Sequence, residues 1–230
     1  MKFALILIGL GFAVLAAEEQ TLEDVHWTQY ARGGLSHDLG INGGHAYYRI
    51  NRKTLSTFQD LRLFGYSLSN DSYIYLRYKS SIKYNPSGRL YNFTTIAYQK
   101  NTRADLDLRY HFNQGFGYFI NDYEQGLVHA EIGHAYDMSN YLNDTHKTSY
   151  LKSGLFWDHD MNKISLKVDA EWFKQISDVV DSDLSRFQFF AELTYQINKS
   201  LALIAGVEQD YYTETKQHPQ SYYISLGWRK

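Results

Sequence analysis

The sequence predicts an all-β protein: a single antiparallel transmembrane β-barrel of about twelve strands, roughly ten to fourteen, behind a cleaved export signal. Three observations carry this. Apolar and polar residues alternate with period two over nearly the whole chain after Trp27. The alternating segments run to about ten residues or more, longer than the five or six usual in soluble sheets. Their connections alternate between short turns and longer polar loops, as they do in membrane barrels.

The chain opens with an address. Met1-Lys2 is followed by the apolar run Phe3–Val14 and by the small residues Ala16-Ala17, then by Glu18-Glu19. A run of about twelve apolar residues is too short to span a bilayer as a helix but suits a secretory signal, so residues 1–17 are expected to be removed. Residues 18–26 are read as a short periplasmic segment and 27–230 as the barrel domain.

The first expected strands, 27–35 and 44–51, flank the polar stretch Ser36–Gly43. The third, 56–68, follows the tight turn Arg52–Leu55 and leads through Asn70-Asp71 to 72–84. In that fourth strand Ile74, Leu76, Tyr78 and Ile82 alternate with Tyr73, Tyr75, Arg77, Lys79 and Lys83. Pro86 and Gly88 mark the turn before 90–99. Lys100–Arg103 leads to 104–120, where Leu106, Leu108, Tyr110 and Phe112 oppose Asp105, Asp107, Arg109 and His111. The turn Asn121–Gln125 precedes 126–136, and the long loop Asp137–His146 precedes 147–157. Asp158-His159-Asp160 has the composition of a tight turn before 161–173. There Leu166, Val168, Ala170 and Trp172 oppose Lys167, Asp169 and Glu171. Lys174–Asp183 is a long polar loop before 184–196, a turn at Asn198 leads to 199–211, and Tyr212–Pro219 leads to 220–228. A helical period would scatter these sets around the cylinder.

Alternation alone does not say which face meets water, because a soluble secreted barrel that binds a small ligand also alternates. Two features favour lipid on the apolar face. Tyr84, Tyr110, Phe112, Tyr136, Trp157, Trp172, Tyr195, Tyr222 and Trp228 sit near strand ends, where they would form interfacial girdles. Charges of both signs sit at mid-strand on the polar face, which suits a lumen: Arg77, Lys79, Asp105, Asp107, Arg109, Glu131, Lys167, Asp169 and Glu171 are the candidate lining residues. The last strand alternates Tyr222, Ile224, Leu226 and Trp228, resembling the C-terminal signal read by the barrel-assembly machinery of bacterial outer membranes. Arg229-Lys230 follow the aromatic.

Composition excludes several chemistries. With no cysteine there is no disulfide scaffold, thiolate metal site or cysteine nucleophile. A net charge of −2 offers no footprint for nucleic acid. His129-Ala130-Glu131-Ile132-Gly133-His134 superficially resembles a metal motif, but on a strand His134 points away from His129 and Glu131. Asp178, Asp181 and Asp183 lack the calcium-loop pattern and read as a solvated acidic loop. No cofactor or metal is expected. None of the nine histidines has Ser two residues later, as lipid-cutting outer-membrane enzymes do, with His146-Lys147-Thr148 the nearest approach. A Ser and a His on different strands could still meet, which keeps a lipid-modifying enzyme as the alternative.

Several stretches together resemble the YdiY-like family of salt-induced outer-membrane proteins, built on a domain of unknown function. They are Trp27 with Gly33-Gly34-Leu35-Ser36, Gly40-Ile41-Asn42-Gly43, Tyr47–Arg52, Arg89–Phe93, Gly115-Phe116-Gly117-Tyr118 and Ala130–Tyr136. Gly40–Gly43 lacks the Thr usual in that turn. The resemblance implies an outer-membrane barrel without an established activity, tied to salt or osmotic stress, and it brings no catalytic residues to carry over. The expected partners are outer-membrane lipid, the assembly machinery, and small solutes or ions.

Overall fold

In the computed structural model the described residues are 25–38, 41–68, 71–101, 106–139, 146–177, 183–214 and 220–229. The expected leader and nearly all of the segment before the barrel lie outside them. Twelve strands follow one another: β1 (His26–Asp38), β2 (Ile41–Lys53), β3 (Thr57–Leu68), β4 (Asp71–Lys83), β5 (Leu90–Asn101), β6 (Leu106–Tyr123), β7 (Gly126–Ser139), β8 (His146–Met161), β9 (Ile164–Gln175), β10 (Arg186–Gln196), β11 (Leu201–Tyr212) and β12 (Gln220–Arg229). Each pairs antiparallel with its neighbours in sequence, and β1 pairs with β12, so the sheet closes on itself. Closure leaves no strand edge with unpaired amides, the condition for a sheet in hydrocarbon.

The two faces separate as the period-two pattern requires. Leu61, Leu63, Ile74, Leu76, Ile96, Ile132, Leu155, Leu193, Leu203, Ile224 and Leu226 are 40–61% exposed, so the greasy half of each strand points outward. Their neighbours one residue away, including Asp60, Thr95, Glu131 and Ser225, are buried. A water-soluble barrel would invert this arrangement. The outer face also carries the rings of Tyr84, Tyr110, Trp157, Trp172, Tyr195, Tyr222 and Trp228.

The short turns use local side-chain chemistry. Thr54 Oγ1 accepts from the Thr57 amide at 3.0 Å, Asn85 Oδ1 from the Ser87 amide at 3.2 Å, and Asn198 Oδ1 from the Ser200 and Leu201 amides at 2.9 Å. Several expected boundaries move. Asp158-His159-Asp160 is not a turn: β8 continues through it to Met161, and the chain reverses at Asn162-Lys163. Asn162 has φ of 49°, a left-handed conformation that asparagine tolerates and most residues do not. Replacing Asn162 by Val should therefore cost about 1–2 kcal/mol, whereas Asn162→Gly should be neutral or slightly stabilising. Urea titration of the refolded barrel measures both. At the other end, most of the expected loop Ser36–Gly43 is strand, because β1 and β2 stay paired out to Asp38 and Ile41. Glycine and polar residues there are tolerated because the backbone ladder does not depend on their side chains. Asn121–Tyr123 likewise belong to β6, whose register shifts between Phe119 and Asn121.

Candidate functional site

The inner face holds an ionic and aromatic interior. Glu131 on β7 accepts from Lys79 on β4, from Lys152 on β8 at 3.5 Å and from the Tyr91 hydroxyl on β5 at 3.0 Å. Strands β4 and β7 are separated by β5 and β6 in the sheet, so the Lys79–Glu131 bond bypasses the wall and crosses the interior. Lys152 also pairs with Glu171 on β9. The Lys152 ammonium lies 5.5, 5.6 and 5.9 Å from the ring centres of Phe93, Phe156 and Phe173. A cation stripped of water is stabilised both by its carboxylates and by the electron-rich ring faces. The Glu131 side chain has no exposed surface, and that of Lys152 is 3% exposed.

A second cluster sits nearer the long-loop end. Asp137 on β7 meets His111, Arg109 at 4.0 Å and Arg186 of β10 at 3.5 Å. The Arg186 guanidinium lies 4.4 Å from the Phe173 ring centre and 5.0 Å from that of Tyr150. Those two rings, with Ala135, form the small apolar cluster inside the barrel, and Leu184 packs against it. Beyond β9, Asp183 pairs with Lys174 at 3.1 Å, and donation from the Ser185 hydroxyl holds its carboxyl below the usual range.

The third cluster spans the seam where β1 meets β12. Arg32 on β1 lies 4.5 Å from the Tyr47 ring centre on β2 and 4.8 Å from that of Tyr223 on β12. It pairs with Glu192 on β10, which also accepts from the Tyr223 hydroxyl at 2.6 Å. His45 Nε2 on β2 and Ser225 Oγ on β12 are 2.6 Å apart, reaching across Gly34 of β1. Tyr223 also needs Gly206 opposite it, since a Cβ there would fall on its ring.

Of the sequence candidates, the structure joins Lys79, Glu131 and Glu171 in the first cluster and Arg109 in the second. Lys167 contacts Asp158 at 3.4 Å and Asp169 at 3.5 Å. Arg77 stands beside Arg62 in the register of β3 and β4. Asp105 lies outside the described residues, as does the Asp107 side chain. The metal-like segment is dispersed: His129 stacks on Phe156 at 4.6 Å, Glu131 is held by lysines, and His134 is exposed on the opposite face. Arg32, Arg49, Asp60, Arg62, Asp137, Lys152, Arg186 and Glu192 join the ionic interior without being among the sequence candidates. Strand parity held the signal for several: Asp60 and Arg62 alternate with Leu61 and Leu63, and Lys152 adjoins outward Leu151.

A closed twelve-strand antiparallel barrel, apolar outside and ionic within, is the architecture of a bacterial outer-membrane β-barrel protein. The chain belongs to the family described as "Protein of unknown function, DUF481", whose model matches residues 69–225. No curated protein matches it. Among solved structures it is similar to a NanC porin, with 9% identity, a TM-score of 0.57 and coverage of 87% of this chain and 98% of that one. A KdgM porin gives 10% identity and a TM-score of 0.51, covering 88% and 98% of the two chains. A bacterial polysaccharide outer membrane secretin gives 9% and 0.50, covering 89% and 98%. At such identities the likeness is one of fold.

Proposed function

We propose that this protein is a non-enzymatic barrel of the bacterial outer membrane that passes small polar solutes or ions slowly through a narrow, charge-lined lumen. Arg77, Lys79, Asp105, Asp107, Arg109, Glu131, Lys167, Asp169 and Glu171 are its proposed lining. The observation that carries the reading is uneven wetting of the interior. The side chains of Glu131, Lys152, Asp137 and Arg186 are 0–5% exposed and fill part of the bore. Those of Arg49, Arg62, Arg109, Asp169, Glu171 and Lys167 retain 20–31% exposure, although they belong to the ionic inner face. Part of the interior is accessible to water and part is not, which supports a constricted passage over a wide porin bore. A role in envelope integrity under salt stress rests on the family resemblance. Outer-membrane lipid would be met by the apolar belt, and the assembly machinery by the last strand. Similarity to porins supports passage of solutes without naming them.

Planar-bilayer recording tests the reading. Small, discrete conductance steps are expected from the refolded chain, and silence at all voltages would eliminate transport and leave only envelope support. The lipid-modifying alternative draws on the His45–Ser225 pair. Ser225 is 1% exposed as a residue and lies on the inner face, away from the lipid-facing side of the wall. A lipid-release assay on the purified protein is expected to give no product.

A further inference from the structure

The inner wall carries its charges by side. Arg49 of β2 is the register partner of Arg62 of β3, and Arg62 is the partner of Arg77 of β4. Three arginines thus stand in one row across three adjacent strands. Like charges directly opposite one another destabilise a sheet. Asp60 compensates part of the row, binding both Arg49 and Arg62 at 2.5 Å.

On the far side carboxylates gather, with Lys167 beside Asp169 at 3.5 Å and Lys152 paired with Glu171. Asp169 and Glu171 lie on β9 and Glu208 on β11, and Asp169 and Glu208 flank Phe190 of β10 in one register row. In a ring of twelve strands, β3 and β9 are diametrically opposed. The facing groups are wetted rather than sealed, with side-chain exposures of 29% for Arg49, 22% for Arg62, 20% for Asp169 and 24% for Glu171.

From this separation, and resting on the channel reading above, we infer that the lumen favours small dipolar solutes bearing one cationic and one anionic group. A zwitterion can lie across the passage with its carboxylate toward the arginine row and its ammonium toward Asp169, Glu171 and Glu208. It then gains from both walls, and no net charge draws it permanently to either. A simple anion or cation is attracted by one wall and repelled by the other, and a neutral solute gains from neither. In a confined, partly dehydrated lumen such fields act with little screening.

Proteoliposome swelling tests this with two isomers of identical atomic composition, zwitterionic glycine and uncharged glycolamide. Swelling in glycine is expected to be at least about threefold faster. Arg77→Gln should reduce that ratio and tilt the reversal potential in a KCl gradient toward potassium, and Glu208→Gln should tilt it toward chloride. Arg77→Lys, which keeps the charge, should retain the ratio. Folding of each variant is verified by its heat-dependent gel migration. Equal swelling in the two isomers by a barrel that conducts in planar bilayers overturns the dipolar inference and leaves the channel intact. Absence of both conductance and swelling removes the channel reading, and the inference with it.

Discussion

Glu131→Gln should lower the stability of the folded barrel by about 3–5 kcal/mol, because it strands the nearly buried Lys79 and takes from buried Lys152 one of its two carboxylates. Lys79 of β4 and Lys152 of β8 converge on that carboxylate, and Glu131 is 4% exposed as a residue. A neutral amide can still accept a hydrogen bond, but it cannot offset the desolvation of an ammonium. Tyr91, which donates to the same carboxylate at 3.0 Å, would keep its bond, so shape is conserved and charge is what changes. The loss should be non-additive. Lys79→Met combined with Glu131→Gln removes the stranded cation and leaves Lys152 with Glu171, so part of the stability should return. Urea titration of the refolded protein in detergent or vesicles measures the four corners of this cycle. A loss under about 1 kcal/mol for Glu131→Gln, or strict additivity, would show that the three groups do not act as one buried unit.

The second large effect falls at the seam. Gly34 lies between His45 and Ser225 in the register, and an added Cβ would strike the backbone of β12 at the Ile224 carbonyl and at Ser225 Cα, the latter 2.7 Å away. Backbone cannot step aside as a side-chain tip can, so Gly34→Ala must push β1 and β12 apart. It should cost about 1–3 kcal/mol by overpacking, with about another 1 kcal/mol if the His45–Ser225 bond is lost. Because β1–β12 pairing joins the two ends of the chain, the damage should appear as a smaller fraction of closed barrel in heat-dependent gel migration. Gly44→Ala is the control: its nearest neighbour would be the Gly34 carbonyl at 3.9 Å, an ordinary contact, so closure should be unaffected. Equal behaviour of the two variants would remove the tight-seam explanation.

Both predictions concern residues whose importance was only partly legible in the amino-acid order. Glu131 stands out by its mid-strand position on a polar face; its partner Lys152 does not, and Asp158-His159-Asp160 has the composition of a turn although it lies within β8. Asp158 and Asp160 have the composition of a loop, but continued pairing of β8 with β7 and β9 outweighs that local preference. The reversal went instead to Asn162, one residue able to adopt the left-handed backbone. Likewise the glycines and polar residues of Ser36–Gly43 look like a loop, and the ladder runs straight through most of them.

The amino-acid order by itself determined the strands, their number and which face of each meets lipid. All three follow from the pleat, which sends successive side chains to opposite sides and so writes the face of every residue into its immediate neighbours. Partnership across the interior is of another kind. Lys79 meets Glu131 from 52 residues away, Arg32 meets Glu192 from 160, and His45 meets Ser225 from 180. No local pattern encodes those meetings. They depend on the register of each successive pair and on β1 closing against β12, which only the finished cylinder sets.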